Sequence, residues 1–318
     1  MRSLSSRPAQ HPLVALDRSG WLDRPLPLAV LLLLPTLLLV FGVLLYPMGR
    51  AFWMSLTDLH LARPQSGVFV GLQNYVAALR DAGFLAALGR TLYFALLTVP
   101  VETALGLLIA LLLNQSFPGR GFVRGLIILP WALPYVVNGV MWKWILNANY
   151  GALNALLSQL GLIDAYQIWL GHPSSAFHFV VLANIWKETP VAVILLLAAL
   201  QTVPDELHEA ATVDGAGALR RLWYVTLPLL RPVVAVTLVV KTVWALKEFD
   251  LIYVMTAGGP ADATNLATFF TYLTTFKFMR FGYGSALAFL IALVSLVIAL
   301  FHVRLVSPGE ARSDGGTP

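Results

Sequence analysis

Charged side chains interrupt two of the most apolar stretches of this sequence. Lys187 and Glu188 are adjacent in one stretch; Lys247 and Glu248 are adjacent in another, closely followed by Asp250. An ionisable group in an apolar segment costs about 2.5–3.5 kcal/mol on membrane-insertion scales, so we expect it to be paired or to face a polar cavity. Two interpretations remain open: ion pairs that lock helices together, or a cavity whose carboxylates accept hydrogen bonds from ligand hydroxyl groups.

Tryptophans accompany these charges. Trp186 directly precedes Lys187, and Trp244 lies shortly before Lys247. An indole ring offers an apolar face on which a pyranose ring can stack, so the cavity interpretation predicts a carbohydrate pathway. Its predicted lining is Trp186, Lys187, Glu188, Trp244, Lys247, Glu248 and Asp250. Asn138 and Trp142 are better explained as helix-packing residues, and Lys143 and Lys241 as snorkelling or paired side chains.

A polar interval from Pro204 to Pro232 separates two apolar stretches. Thr202 and Asp205 have capping-box-like spacing, which predicts a helix that begins near Pro204. The helix should end at Asp214-Gly215, because glycine readily adopts the left-handed cap conformation.

A second short amphipathic helix is predicted over residues 216–224, ending before Leu227-Pro228. The interval is therefore expected to form a helix-turn-helix at the inner face of a membrane. Ala210 and Ala211 would allow the close approach of another protein.

Composition identifies an integral membrane protein. Hydrophobic residues make up 58% of the chain and charged residues 12%, with a mean hydropathy of +0.76; soluble domains average about 45–50% and about 25%. We predict an all-α protein with apolar spans near residues 27–47, 91–113, 125–146, 177–203, 232–256 and 283–306. Together they form one membrane domain over residues 27–306, with a short N-terminal segment (1–26), the polar loop (204–231) and a disordered tail (307–318).

The distribution of basic residues predicts that both termini are cytoplasmic. Arginines are more frequent in the N-terminal segment and in the loops on its side of the membrane, as the positive-inside rule requires. The interval from Asn147 to Ala176 contains no lysine or arginine and is placed outside. Because the net charge of +5 follows this topology and forms no single basic patch, nucleic acid is not an expected partner.

Motifs for catalysis and cofactor binding are missing from the sequence. There is no cysteine, no phosphate-binding Gly-x4-Gly-Lys-Ser/Thr loop and no Gly-x-Ser-x-Gly, and the histidines lack metal-ligand spacing. We therefore predict a non-catalytic subunit that binds no metal and no cofactor of its own.

The polar interval resembles the EAA loop of ABC importer membrane subunits. Glu209-Ala210-Ala211 is followed by Gly215 and then by a Val225-x-Leu-Pro sequence, with valine where isoleucine is more usual. The resemblance implies that this loop docks on a separate ATPase subunit. The implied coupling residues are Glu209, Ala210, Ala211, Asp214, Gly215, Leu227 and Pro228.

Other segments are similar to the MalF-type permeases of carbohydrate importers. They are Gly71-Leu-Gln-Asn-Tyr75, Trp186-Lys187, Phe249-Asp-Leu-Ile-Tyr253, Gly258-Gly-Pro260 and Gly282-Tyr-Gly-Ser-Ala286. The resemblance implies the type I ABC importer permease fold, a bacterial or archaeal plasma-membrane location and transport of a sugar. It also implies a second homologous permease, two ATPase subunits that hold ATP and Mg²⁺, and an extracytoplasmic solute-binding protein.

Two alternatives to a sugar importer remain open. The lysines in the spans could meet an anion, which would favour glycerol-3-phosphate or another phosphorylated substrate. An ion-driven secondary transporter is the third possibility, but it would usually show an inverted repeat, and the sequence has no visible internal repeat.

Overall fold

The computed structural model describes residues 25–306, with side chains for residues 28–304. The predicted N-terminal segment and C-terminal tail fall almost wholly outside this range. In chain order the helices are α1 Pro25–Leu39, α2 Tyr46–Ser55, α3 Gln73–Ala78, α4 Ala82–Asn114, α5 Arg120–Ala132, α6 Tyr135–Ile145, α7 Ala152–Gln159, α8 Pro173–Leu200, α9 Asp205–Val213, α10 Ala218–Arg221, α11 Leu227–Leu246, α12 Asp250–Met255, α13 Ala267–Tyr272 and α14 Phe281–Val306.

The all-α fold class predicted from composition is confirmed. Within the described residues the regular structure is helical, apart from one isolated bridge between Thr57 and Phe69. Five helices are long and apolar enough to cross a membrane, and the number rises to six if the bent pair α5 and α6 counts as one span.

The described part of the chain divides into two compact units, with the boundary between Trp53 and Met54. The first contains α1, a π turn at Val40–Leu45 and most of α2, which follow one another as a single apolar run. The second contains all the other helices and both functional regions predicted from the sequence.

Helices α4 and α8 form the most extensive helix pair of the second unit. Gly106 permits this approach, because a Cβ atom added there would lie 2.5 Å from the Cβ of Ala192. Buried side chains of α4, α8 and α11, including Leu113, Leu196 and Leu230, pack together near the polar loop. Three helices thus form a close-packed core into which the charged residues project.

Two predicted spans are broken. Helices α5 and α6 meet at a bend of 94°, where Pro134 lacks an N–H group and disfavours the helical conformation at Leu133. Helix α11 ends at Leu246, and α12 starts only at Asp250. The sequence predicts continuous helices over 125–146 and 232–256, so both predictions are wrong at the breaks. Pro134 could have indicated the first break from the sequence.

The polar loop begins with α9, but two details differ from the prediction. Thr202 forms no capping box: its hydroxyl donates to the Ala199 carbonyl, and Pro204 occupies the N-cap position. The second helix does not end before Pro228, because α10 continues through a π turn at Leu222–Thr226 into α11. Pro228, which has no backbone N–H, comes directly after this π turn, where the regular α-helical hydrogen-bond pattern is already interrupted.

Candidate functional site

A cavity of about 320 Å³ lies where the two spans are broken. We call it the break cavity. The first break contributes Trp131 and Tyr135, and the second contributes the rest of the wall: Trp244, Lys247, Glu248, Phe249 and Asp250. Interrupted helices expose backbone groups and allow polar side chains to converge at one depth, which is how membrane transporters commonly build solute sites.

The first break is held open by Lys187 of α8. Its ammonium group donates hydrogen bonds to the carbonyl oxygens of Trp131 at 3.1 Å and Leu133 at 2.7 Å. These carbonyls lie at the C-terminal end of α5, where helical partners are missing and the helix dipole favours a cation. Lys187 therefore compensates for the interruption of the span.

Behind the break cavity, Lys241 forms a buried ion cluster with Glu102 and Glu188. Its ammonium group lies 3.0 Å from a Glu102 carboxylate oxygen and 2.9 Å from a Glu188 carboxylate oxygen. It also donates to the Glu188 backbone carbonyl at 2.6 Å. Because the three residues belong to α11, α4 and α8, the cluster ties together the three helices of the core.

Tyr135 connects the cavity with this cluster. Its hydroxyl donates to the second Glu188 oxygen at 2.5 Å, while the Lys187 ammonium lies 4.3 Å from its ring centroid. Tyr135 also forms part of the cavity wall. Tyr135 therefore links the wall of the break cavity to the buried ion cluster through a single hydrogen bond.

Glu248 stabilises the second break. One carboxylate oxygen accepts a hydrogen bond from the Leu251 backbone N–H, as an N-terminal capping group does. The other accepts from Asn184 at 3.0 Å, and the Thr268 hydroxyl donates to the Glu248 backbone carbonyl. Glu248 is thus both a wall residue and a structural cap.

The structure separates the residues of the predicted pathway into two groups. Trp244, Lys247, Glu248 and Asp250 line the cavity together. Lys187 and Glu188 are buried behind it, and Trp186 packs edge-to-face on Trp142. The sequence left open whether Lys187-Glu188 and Lys247-Glu248 form ion pairs; among the described residues both salt bridges end on Lys241, and only Glu188 of these four residues takes part.

Several site residues were not identified from the sequence. They are Glu102, Trp131, Tyr135, Asn184 and Phe249; Lys241 was interpreted as a snorkelling or paired side chain, and it is paired. Glu102 carried a usable signal, because it is an ionisable residue within an apolar run. No sequence pattern marks Tyr135 or Trp131 as site residues, because they approach the site only through the break between them.

The loop residues occupy an exposed surface. Glu209 and Ala210 are exposed, and Ala211 is partly so. Gly215 has a φ of +77°, and the two hydrogen bonds of a Schellman cap, Gly215 N–H to Thr212 and Ala216 N–H to Ala211, surround it. Asp214 is the C-cap, whereas Leu227 and Pro228 lie inside a continuing helix. The turn at Gly215 has the predicted conformation, and the coupling roles stay predictions.

The sequence profile of the family described as "binding-protein-dependent transport system inner membrane component" matches residues 102–308. The chain belongs to this family. The matched range contains the polar loop and every residue that lines the break cavity, and the family's description is that of an inner membrane component of a transport system.

Curated relatives of this inner membrane component cover nearly the whole chain. It is 38% identical to the trehalose/maltose transport system permease protein MalF of Thermococcus litoralis, covering 92% of this chain and 96% of the relative. It is 37% identical to the sulfoquinovosyl glycerol transport system permease protein SmoG of Agrobacterium fabrum, covering 88% and 90%. The resemblance to carbohydrate importer permeases is confirmed.

A solved bacterial ABC transporter involved in the import of the acidic polysaccharide alginate has a similar fold. Its matched chain has a TM-score of 0.77 and 26% identity, covering 90% of this chain and 96% of that one. The permease fold expected from the sequence is therefore confirmed, and the inner membrane component is a multi-pass membrane protein.

Proposed function

We propose that this inner membrane component is the permease subunit of an ATP-driven sugar importer and that the break cavity binds the sugar in transit. The observation that carries the proposal is the convergence of tryptophans and carboxylates where two spans are interrupted. Relatives whose names include trehalose, maltose and a sulfoquinovosyl glycoside support a carbohydrate substrate.

The cavity offers the groups that sugars require. Asp250 and Lys247 are exposed to it and supply an acceptor and a donor for sugar hydroxyls, while Trp244 and Trp131 supply ring faces. Glu248 already accepts hydrogen bonds from Asn184 and Leu251. We therefore assign direct sugar contacts to Asp250, Lys247 and the tryptophans, and a supporting role to Glu248.

The remaining partners follow from the transport class. A second homologous permease would complete the pore, an extracytoplasmic binding protein would deliver the sugar, and two ATPase subunits would hold ATP and Mg²⁺. One solved relative was crystallised in complex with an alginate pentasaccharide-bound periplasmic protein, which supports the binding-protein partner. The chain itself would hydrolyse no ATP, and both termini would be cytoplasmic in a bacterial or archaeal plasma membrane.

Coupling to the ATPase is assigned to the loop. Glu209, Ala210 and Ala211 would form the docking face, and Gly215 the turn that keeps this face rigid. The exposure of α9 and the Schellman cap support this assignment. Leu227 and Pro228 would transmit loop movement into α11, because the helix is continuous there.

The test is ATPase stimulation of the complex, reconstituted in vesicles with its second permease, ATPase subunits and binding protein. We expect sugars to stimulate hydrolysis, Glu209→Lys to abolish the stimulation, and Asp250→Asn to weaken uptake with assembly intact. Normal stimulation in Glu209→Lys would refute the coupling assignment. Unchanged uptake in Asp250→Asn would refute the sugar contact.

An anionic substrate is the second candidate, supported by Lys247. Its ammonium group faces the cavity and makes no salt bridge with any described residue. Glycerol-3-phosphate and sulfated or phosphorylated sugars should therefore be included in the same panel. The ion-driven alternative has no support from the family assignment.

A further inference from the structure

A polar pocket of about 300 Å³ lies where the segment after α2 meets the start of α14, and it shares no wall residue with the break cavity. We call it the arginine pocket. The predicted orientation places this region outside, because α1 would start and α14 would end on the cytoplasmic side. The wall consists of Asp58, Leu59, His60, Arg63, Asn74, Arg280 and Tyr283.

Backbone hydrogen bonds fix the two segments of the arginine pocket to each other. The Gly282 N–H donates to the Leu59 carbonyl at 2.9 Å, and the Leu61 N–H donates to the Met279 carbonyl at 3.0 Å. Glycine is required at position 282, because a Cβ atom there would lie 2.0 Å from the Thr57 carbonyl oxygen. The two arginines are therefore carried by segments that are held close together.

The two guanidinium groups of the pocket have no carboxylate partner. Among residues 28–304 both salt bridges involve Lys241, so neither Arg63 nor Arg280 takes part in one. Both arginines are exposed. Tyr283 orients one of them, since the guanidinium carbon of Arg280 lies 4.3 Å from the centroid of its ring. The positive charge of the pocket is thus available to an incoming group.

Carboxylates near the pocket are occupied by other bonds. Asp58 Oδ1 accepts the N–H groups of Gly67 at 2.8 Å and Val68 at 2.7 Å. Asp81 accepts the Tyr283 hydroxyl with one oxygen and caps the start of α4 with the other. Neither carboxylate lies within salt-bridge distance of an arginine of the pocket, so two positive charges remain without a close counter-ion.

His60 supplies a further hydrogen-bond donor. Its Nδ1 accepts the Ala62 N–H at 3.3 Å, so the neutral ring carries its proton on Nε2. Ser66 closes the loop around it, because its Oγ accepts the His60 N–H and donates to the His60 carbonyl. Arginine binds a carboxylate through two parallel hydrogen bonds. Together these donors match a carboxylate ligand.

The surroundings of the pocket favour a protein over a single lipid headgroup. A second polar concavity, of about 350 Å³, shares Asp58 and Arg63 with it and extends the surface to Gln65 and Ser66. One headgroup would fill only part of this surface, whereas a protein segment can cover both concavities. One solved relative forms a complex with a periplasmic protein, which binds from the side that the arginine pocket is predicted to face.

We propose that the arginine pocket is the docking site for an acidic side chain of the solute-binding protein, and that Arg63 and Arg280 bind its carboxylate. The inference rests on the proposed import function, which requires such a partner. It predicts that the pocket determines how tightly the binding protein docks and leaves the choice of sugar to other residues.

The test measures ATP hydrolysis by the complete complex in vesicles while the concentration of sugar-loaded binding protein is raised. Arg63→Gln/Arg280→Gln should raise the half-maximal concentration about five- to twentyfold, the loss expected for two exposed ion pairs, and leave the maximal rate unchanged. Arg63→Lys/Arg280→Lys should recover part of this loss, because the charge is restored. Added salt should weaken docking of the unaltered complex more than docking of the glutamine variant.

Arg80→Gln/Lys277→Gln is the matched control. Both residues are exposed and predicted to lie on the same side, but neither lines the arginine pocket. This variant should change the half-maximal concentration by less than about twofold, as expected for peripheral charges. Equal shifts in the two glutamine variants would indicate general electrostatic attraction and overturn the specific site.

Vesicle composition separates a protein ligand from a lipid. The shift caused by Arg63→Gln/Arg280→Gln should be the same in vesicles of phosphatidylcholine alone and in vesicles that also contain phosphatidylglycerol. A shift that appears only with phosphatidylglycerol would overturn the docking site in favour of an anionic headgroup.

The outcome for the unaltered complex distinguishes the two levels of inference. If loaded binding protein fails to stimulate it, the proposed function is wrong and the docking site with it. If stimulation occurs and the arginine variants keep the original half-maximal concentration, only the docking site is wrong.

Discussion

Lys241 sits between two carboxylates that have no access to water. Glu102 and Glu188 are 2% and 3% exposed, and Lys241 is 1% exposed. Three ionisable groups at such burial are tolerable only while the ammonium lies between the two carboxyl groups, because the desolvation penalty is otherwise uncompensated. The stability of the three-helix core therefore depends on one ammonium group.

We expect Lys241→Met to destabilise the protein strongly. Removing one partner of a buried ion pair typically costs roughly 3–5 kcal/mol, since the remaining charge is left unpaired. The measurement is thermal unfolding of the detergent-solubilised protein. Lys247→Met is the matched control, because Lys247 is exposed to the cavity and should change stability by no more than about 0.5 kcal/mol.

A second variant shows whether charge is the cause. Adding Glu102→Gln to Lys241→Met should recover part of the lost stability, because one uncompensated anion is removed. Equal melting temperatures for Lys241→Met and Lys247→Met would show that the cluster contributes nothing to stability.

For individual residues, the sequence identifies ionisable side chains within apolar segments but not the partners with which they pair. Glu188 was identified, yet its partners Lys241 and Tyr135 lie on other helices. Pairing depends on helix rotation and approach, and sequence spacing within one helix contains no information about either. Lys187 is the clearest example, because its partners are backbone carbonyls, which every residue has.

Among the elements, the contact between α4 and α8 depends on a single missing side chain. We expect Gly106→Ala to cost about 1–3 kcal/mol, as overpacking does, because the new methyl group would meet Ala192. Thermal unfolding measures the loss.

Gly89→Ala is the control in the same helix. It has no neighbouring atom within 4 Å and should be neutral or stabilising by about 0.5–1 kcal/mol, since alanine is the better helix former. A neutral Gly106→Ala would mean that the two helices can separate without cost.

The turn after α9 gives a second prediction for an element. Gly215→Ala should strain the loop by about 1–2 kcal/mol, because a side chain resists the left-handed conformation, and should reduce ATPase stimulation by loaded binding protein. Gly217→Ala is the control: Gly217 has a φ of −67° and open space around it. Loss of stimulation in both variants would argue against the specific role of the turn.

Helices were predictable as elements, whereas their interruptions were not. Long apolar runs identified the membrane helices, and Asp214-Gly215 identified the end of α9. The break after Leu246 has no proline or glycine to signal it; it is stabilised by a hydrogen bond between Glu248, in the break itself, and Asn184 of α8. The site lies at these breaks, so the features that sequence patterns miss are the ones that build it.

For the whole molecule, the predicted orientation can be tested directly because the chain has no cysteine. Val213 and Tyr150 are 88% and 67% exposed. In intact cells, a membrane-impermeant maleimide should label Tyr150→Cys but not Val213→Cys until the membrane is permeabilised. The reverse pattern, or labelling of both from outside, would overturn the assignment of cytoplasmic termini.

The course of α8 has a mechanical consequence. Lys187 of this helix donates a hydrogen bond to the Leu133 carbonyl at the end of α5, and Glu188 forms a salt bridge with Lys241. The helix ends at Leu200, shortly before the loop helix α9. Lys187 and Leu200 are about 20 Å apart at about 1.5 Å per residue. If the loop moves as proposed, a continuous helix of this kind would carry the movement to the residues behind the break cavity; its one interruption is at Pro190, where a backbone hydrogen bond is missing. Pro190 is therefore the position at which α8 bends most easily. Its flexibility determines how strongly the position of the polar loop is linked to that of Lys187 and Glu188.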